Sequence, residues 1–294
     1  MRDQKLSYIY ALSAVLLWST VATAFKISLR YLTPEELLFY SSFSSLSFLS
    51  ILLVKKGLLK KAMNYLKNHI LSTIILGAIN PFIYYLVLFK AYDILPAQEA
   101  QAINYTWALM LSYLSVVFLK HRLSFYDIFA GFLAYFGVLI IATKGDLLSL
   151  HFSSVSGVML AIFSTVLWSF YWIFNTKSDT DPTIGLFCNF LFGTFFIAVY
   201  LFLFKTIHSI SIEGILSSIY VGMFEMGATF ILWLKALKYS ENTSKTANLI
   251  FLSPILSLFF IHYIAGEKIE SSTILALFLI ISGLILQRIK PATR

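Results

Sequence analysis

Long apolar runs separated by short polar breaks make up almost the whole chain. Ten runs occupy 7–29, 35–54, 70–92, 96–119, 125–143, 153–177, 183–205, 212–238, 242–264 and 271–287. Each is close to the ~20 residues with which a helix rising 1.5 Å per residue crosses a ~30 Å hydrocarbon layer. Pro34, Pro96 and Pro182 stand at the starts of runs, where a missing N–H is harmless. Pro81 and Pro254 lie inside runs, and each frees a carbonyl that a neighbouring helix or a cavity water must satisfy. The longest polar stretch is 55–68, rich in lysine. The first run follows a short charged start, and its length, with Trp18 and Lys26 inside it, favours a retained spanning helix over a cleaved signal. The pattern predicts an all-α polytopic membrane protein with ten transmembrane helices.

Composition agrees. Of 294 residues 59% are hydrophobic and 12% charged, against ~25% charged in soluble domains, so no soluble domain is expected. The net charge of +8 is unevenly distributed. With the N-terminus in the cytoplasm, 16 of the 22 lysines and arginines fall on the cytoplasmic side, five of them between Lys55 and Lys67. This bias predicts a multi-pass protein of the cell (inner) membrane with both termini cytoplasmic. The basic excess is then membrane topology, which argues against a nucleic-acid partner. A single Cys188 inside an apolar run and scattered histidines offer no disulfide framework or metal spacing, so neither metal nor cofactor is expected. The chain carries no Gly-x-Ser-x-Gly, His-Glu-x-x-His or paired intramembrane aspartates, and an enzyme is not expected.

The two halves repeat. Val15-Leu16-Leu17-Trp18-Ser19 returns as Thr165-Val166-Leu167-Trp168-Ser169, and Pro34 matches Pro182. Gly77, Lys90 and Ala91 match Gly222, Lys235 and Ala236, while Gly137 matches Gly283. Five matches in register and in order predict two units, 1–148 and 149–294. Five spans per unit is an odd number, so the second copy is inverted: two inverted five-helix repeats. Secondary transporters recurrently use this design, with the substrate at mid-depth between the halves.

The Leu-Leu-Trp-Ser of the first run and its echo in the sixth resemble the EamA-type drug/metabolite transporter superfamily. So do the Lys-Ala ending runs three and eight, Pro254, Gly266-Glu267-Lys268 and the final Gly283-x-x-Leu286. The first half departs from the pattern: Trp107-Ala108 stands where the second half has Ser253-Pro254, and Lys120-His121-Arg122 replaces Gly-Glu-Lys. The resemblance implies ten helices, inverted repeats and export of small metabolites by alternating access. It leaves the substrate open among amino acids, nucleotide sugars, triose phosphates and amphipathic drugs.

Helical spacing sorts the polar residues. Gln101, Asn104 and Ala108 share a face, as do Ser164, Trp168, Tyr171 and Asn175. Asn80 and Tyr84 on run three and Asn248 on run nine add polar groups. In lipid such groups turn toward other helices, so each either glues helices or lines a cavity. For Ser and Thr, whose hydroxyls can bond their own helix, glue is the expected role; Gln101, Asn104 and Asn248 are candidate cavity residues. Tryptophans usually sit at membrane interfaces, but Trp18, Trp107 and Trp168 lie deep in their runs. With Tyr84 and Tyr171 they fit an aromatic site for a flat substrate or a cation, or they merely pack. Trp172 and Trp233, nearer a boundary, read as anchors or as packing. Lys26, Lys90 and Lys235 read as snorkelling, and Glu99 as either a partner of Lys90 or an outer gate.

Glu225 is the most informative residue. It lies roughly 20 Å along its run, at 1.5 Å per residue, near mid-membrane. A charge there costs roughly 3 kcal/mol or more, so it normally faces a bundle interior or wet cavity. The expected function is export of small metabolites, amino acids or related amines, with Glu225 attracting an ammonium or exchanging protons. A nucleotide-sugar or phosphate carrier would need Lys or Arg at mid-depth, where the sequence has none; a multidrug exporter of the same fold stays open. Expected partners are a small-molecule substrate and membrane lipid; the sequence leaves open protons as a coupled partner, and monomer against homodimer.

Overall fold

Each polar break supplies the groups that end one helix and start the next. The computed structural model describes residues 3–119, 125–147, 154–175, 180–205, 211–241, 246 and 249–289. Helix α1 (Gln4–Ser28) starts where the Asp3 carboxylate accepts from the Leu6 N–H at 3.0 Å. Helix α2 (Pro34–Lys55) starts in a reciprocal capping box: Thr33 Oγ1 accepts from the Glu36 N–H, and the Glu36 carboxylate accepts from the Thr33 N–H at 2.9 Å. It ends beside Gly57, whose φ of 64° suits a residue without a Cβ.

The following helices are α3 (Leu59–Asn68), α4 (Ile70–Gly77), α5 (Tyr84–Ile94), α6 (Ala97–Asn104), α7 (Trp107–Leu119), α8 (Phe125–Ala142) and α9 (Val155–Asn175). After them come α10 (Pro182–Phe204), α11 (Ile212–Tyr220), α12 (Ala228–Tyr239), α13 (Leu252–Phe260) and α14 (Ser271–Ile289). No strand occurs among the described residues. Wide turns at Ala78–Ile83 and Val221–Glu225 join α4 to α5 and α11 to α12. Among the described residues six helices are long and apolar enough to cross a membrane: Gln4–Ser28, Pro34–Lys55, Ile70–Ile94, Val155–Asn175, Pro182–Phe204 and Ile212–Tyr239. Shorter apolar helices accompany them at Ile128–Ala142, Leu249–Ala265 and Ser271–Leu286. Phe132, Leu203 and Phe278 are about two-thirds exposed, which hydrocarbon tolerates and water would not. The chain is a multi-pass membrane protein.

Two features depart from the sequence pattern. The stretch 55–68 is not a plain connection but contains α3. Several runs are also interrupted near their middles. At Asn80 the backbone leaves helical geometry (φ −138°, ψ 118°) before Pro81. The fourth run turns at Tyr105–Thr106, between α6 and α7, and the eighth breaks at Met226–Gly227, one residue past Glu225. Irregular backbone at membrane depth survives only where protein or a cavity covers it.

Glycines set the closest helix contacts. A Cβ on Gly77 would stand 2.6 Å from the Asn189 carbonyl oxygen, and one on Gly222 would collide with the Ser41 carbonyl. Helices α8 and α14 meet in the same way: Gly137 against the Ala276 carbonyl (2.8 Å from an added Cβ) and Gly283 against that of Ala130 (2.6 Å). Small residues let backbones approach this closely in lipid, where dispersion drives helix association.

Candidate substrate cavity

The interruptions at Tyr105–Thr106 and next to Glu225 border a cavity of about 340 Å³, within the range of small-molecule sites. One face of α1 lines it with Trp18, Val21, Ala22 and Phe25; α5 contributes Tyr84, Leu88 and Tyr92. Gln101, Asn104, Tyr105, Trp107 and Leu111 come from α6, α7 and the turn between them. Helix α9 supplies Trp168 and Trp172, α12 supplies Phe230, Trp233 and Leu237, and Glu225 and Ile250 complete the wall.

The rings form one connected wall with Trp168 as its hub. Tyr84 stacks on Trp168 at 4.6 Å and 26°. Trp107 meets Trp168 edge-on at 6.5 Å and stacks on Trp172 at 6.4 Å. On the other side Phe230 touches both Trp168 (5.9 Å) and Trp18 (5.6 Å), and Trp18 continues to Trp233 (5.6 Å). Such offset and edge contacts are the favoured arrangements of aromatic pairs. They fix ring faces toward the cavity at little cost in side-chain freedom.

Glu225 is the charged side chain among the described residues that line this cavity. Its Oε1 accepts from the hydroxyl of Tyr85 at 3.1 Å, and Trp18 is a second donor. Tyr85 is fully buried behind the wall. The carboxylate is therefore held from behind and presented to the cavity. Asn104 donates to Ser164 Oγ at 3.0 Å, so this amide both lines the cavity and ties α6 to α9. Ser164 and Ser169 bond carbonyls of their own helix, and Ser169 also donates to the Trp107 carbonyl at 3.1 Å, the glue role expected of hydroxyls.

Of the predicted site residues, Trp18, Tyr84, Gln101, Asn104, Trp107, Trp168 and Glu225 line the cavity together. Tyr171 and Asn80 do not. Tyr171 stacks beneath Trp168 at 5.6 Å, is 1% exposed, and accepts from Asn189 Nδ2 at 3.4 Å. Asn80 is buried beside it. The two belong to a polar cluster among α9, α10 and the break before α5. Asn248 lies outside the described residues. Trp172 and Trp233, read as anchors or packing, are cavity walls, and Phe25, Tyr92 and Phe230 were not singled out. The signal existed: Trp18, Val21, Ala22 and Phe25 follow helical spacing, as do Phe230, Trp233 and Leu237. Apolar stripes facing lipid have the same spacing, so only packing separates the two.

One end of the cavity, beyond Phe25 and Tyr92, is crossed by polar bonds. Glu267 accepts from the Ala97 N–H at 2.9 Å and the Gln98 N–H at 3.5 Å, at the start of α6. The Gln98 amide donates to the Lys268 carbonyl at 2.8 Å and accepts from the Glu270 N–H at 3.1 Å. Lys26 does not snorkel: its Nζ donates to the Tyr92 and Leu95 carbonyls at 2.7 and 2.8 Å, near the end of α5, where unpaired carbonyls and the helix dipole attract a cation. Arg30 donates to the Ala265 carbonyl at 2.6 Å. Lys90 pairs with Asp93 at 2.8 Å rather than with Glu99, and Lys235 lies over the Tyr10 ring at 5.2 Å. In the other direction the cavity runs to Leu237, two residues short of the end of α12.

The chain is similar to known proteins along most of its length. The chain is 24% identical over 282 residues to an uncharacterized transporter of Archaeoglobus fulgidus, covering 94% of this chain and 95% of the relative. It is 24% identical over 243 residues to the uncharacterized transporter YyaM of Bacillus subtilis, covering 81% and 78%. A solved structure described only as "Crystal structure of protein" superposes with a TM-score of 0.65 at 18% identity, over 98% of this chain and all of that one, a likeness of fold. The EamA-like transporter family model matches residues 5–143 and 155–288. The chain belongs to the EamA-like transporter family.

Proposed function

We propose that the protein is a secondary transporter of the inner membrane that exports small amine-bearing metabolites, amino acids or related aromatic amines, by alternating access. The observation that carries this reading is Glu225: the charged group among the described lining residues is a carboxylate, set in a wall of tryptophan and tyrosine rings. An ammonium gains from both, through a charge-assisted hydrogen bond and a ring face. Gln101 and Asn104 offer amide donors for a substrate carboxylate or hydroxyl. A phosphate or nucleotide-sugar substrate would bring its charges against Glu225, with no Lys or Arg among the described lining residues to meet them.

Two inverted units, 1–148 and 149–294, each of five spans, account for the paired contacts. Gly77 meets Asn189 as Gly222 meets Ser41, and Gly137 meets Ala276 as Gly283 meets Ala130. Each pair exchanges matching positions of the two halves, as a two-fold axis in the membrane plane requires. The two stretches matched by the family model divide the chain at the same place. The polar bonds at the Lys26 end and the extent of the cavity toward Leu237 support a state closed to the outside and open toward the cytoplasm.

The lysine bias supports cytoplasmic termini and a cytoplasmic α3. A cysteine in place of Lys60 should resist a membrane-impermeant thiol reagent in intact cells and react after permeabilisation. Native Cys188 is fully buried and gives little background. Ready labelling in intact cells would reverse the orientation.

The ring wall predicts that Trp107→Ala and Trp168→Ala weaken substrate binding several-fold, since one ring contact contributes about 1 kcal/mol. Trp168→Ala should have the larger effect because five neighbouring rings rest on it. A thermal-shift screen of aromatic amines, neutral aromatics and sugar phosphates on purified protein identifies the ligand. The variants are then titrated with it. Unchanged affinity in both would make those rings packing alone.

A further inference from the structure

Helix α3 connects two spanning helices and is amphipathic in an unusual way. At 100° per residue, Leu58, Ala62, Tyr65 and Leu66 share one side, Leu59 and Met63 the flank next to it, and Lys60, Asn64 and Lys67 the side beyond. The first side is buried against the protein, where Ala62 packs with Leu53, Ile184 and Cys188. The flank is not: Leu59 and Met63 are 48% and 46% exposed. Lys60, Lys61 and Lys67 stand free of any ion pair among the described residues, and 55–68 contains no acidic residue.

The neighbouring chain fixes the level at which α3 lies. Ile51 and Val54 at the end of α2, and Ile70 and Leu71 at the start of α4, are all exposed apolar side chains. They mark the edge of the hydrocarbon on both sides of α3. Lys56 is held to Thr183 Oγ1 at 3.1 Å, which ties this corner to the start of α10. The exposed flank of Leu59 and Met63 therefore meets the acyl boundary, while Lys60 and Lys67 beside it reach headgroup height.

We infer that α3 is a docking surface for anionic phospholipid, with Leu59 and Met63 inserted between acyl chains and Lys60 and Lys67 contacting headgroup phosphates. A basic helix with an apolar flank binds an interface through both terms, and each lysine near an anionic surface strengthens binding roughly fivefold. The surface is separate from the cavity and does not depend on the substrate.

The test uses the full-length protein in mixed micelles of phosphatidylglycerol and phosphatidylcholine, with retained lipid counted by native mass spectrometry. Wild type should retain phosphatidylglycerol preferentially. The double variant Lys60→Gln, Lys67→Gln should lose at least fivefold of that preference, and Leu59→Ser with Met63→Ser should lose a smaller part. If the double variant folds poorly, wild type at raised salt asks the same question, since screening weakens contacts at an exposed surface. A preference that survives both the substitutions and the salt refutes the proposal. So does lipid that depends on the lysines but is displaced by a soluble acidic peptide, which assigns the face to a protein segment.

Discussion

Glu225→Gln should leave the protein folded and remove most transport of an amine-bearing substrate. Glutamine keeps the size of the side chain and an oxygen to accept from Tyr85, at 3.1 Å in the native protein, so the packing around it need not change. It loses the charge. A hydrogen bond to a charged group contributes about 1.5–3 kcal/mol, which corresponds to roughly 10- to 100-fold in affinity. Tyr85→Phe should fall between wild type and Glu225→Gln, because it leaves the charge and frees one carboxylate oxygen. If Glu225 alternately holds an ammonium and a proton, wild-type transport varies with pH and the glutamine variant loses that dependence. Transport into proteoliposomes across a pH series, for wild type and both variants, checks all three statements. Should Glu225→Gln transport at the native rate with an unchanged pH profile, the carboxylate is structural and the preference for amines has no basis.

The second large effect is expected at the closed end. Glu267→Ala combined with Gln98→Ala removes four hydrogen bonds between the start of α6 and the connection before α14. Two of them are made by a carboxylate to N–H groups of a helix start, a favoured position for a negative charge. Loss of about 1.4 kcal/mol from the closed state alone changes its ratio to the open state tenfold. A cysteine replacing Ala22, on the cavity face of α1, reports the change. With Cys188 replaced by Ala, its labelling by an impermeant reagent from outside should rise about tenfold in the double variant and stay low in the parent. Lower thermal stability with unchanged labelling would make these contacts plain structural caps.

Glu225 and Trp168 were legible because a carboxylate and an indole at mid-depth need a reason to be there. The stripe of Gln101 and Asn104 was legible because polar atoms avoid lipid. Tyr171 and Asn80 satisfy the same tests yet lie behind the wall, since a buried polar cluster and a cavity wall attract the same residue types. Phe25, Tyr92, Trp172, Phe230 and Trp233 were missed for the converse reason. An apolar side chain is equally at ease in lipid, in packing or around a ligand, and its position along the helix does not distinguish them.

Hydrocarbon thickness and the need to satisfy every backbone group in lipid make length and apolarity nearly sufficient to identify spanning helices, so the sequence alone determined that this is a helical multi-pass membrane protein and that Glu225 is anomalous within it. The matched glycines and prolines of the two halves were equally visible as residues, but the close helix contacts that Gly77, Gly137, Gly222 and Gly283 make were not. Which faces meet was decided by tertiary structure: the reach of Tyr85 to Glu225, the turn of Lys26 toward the carbonyls of Tyr92 and Leu95, and the docking of Glu267 on Ala97. Each joins residues 66 or more positions apart, and periodicity carries no information on which helix stands opposite. The breaks near Asn80, Tyr105 and Glu225 belong to the same class, because an interrupted helix persists in a membrane only once its neighbours or a cavity have taken up the freed backbone groups.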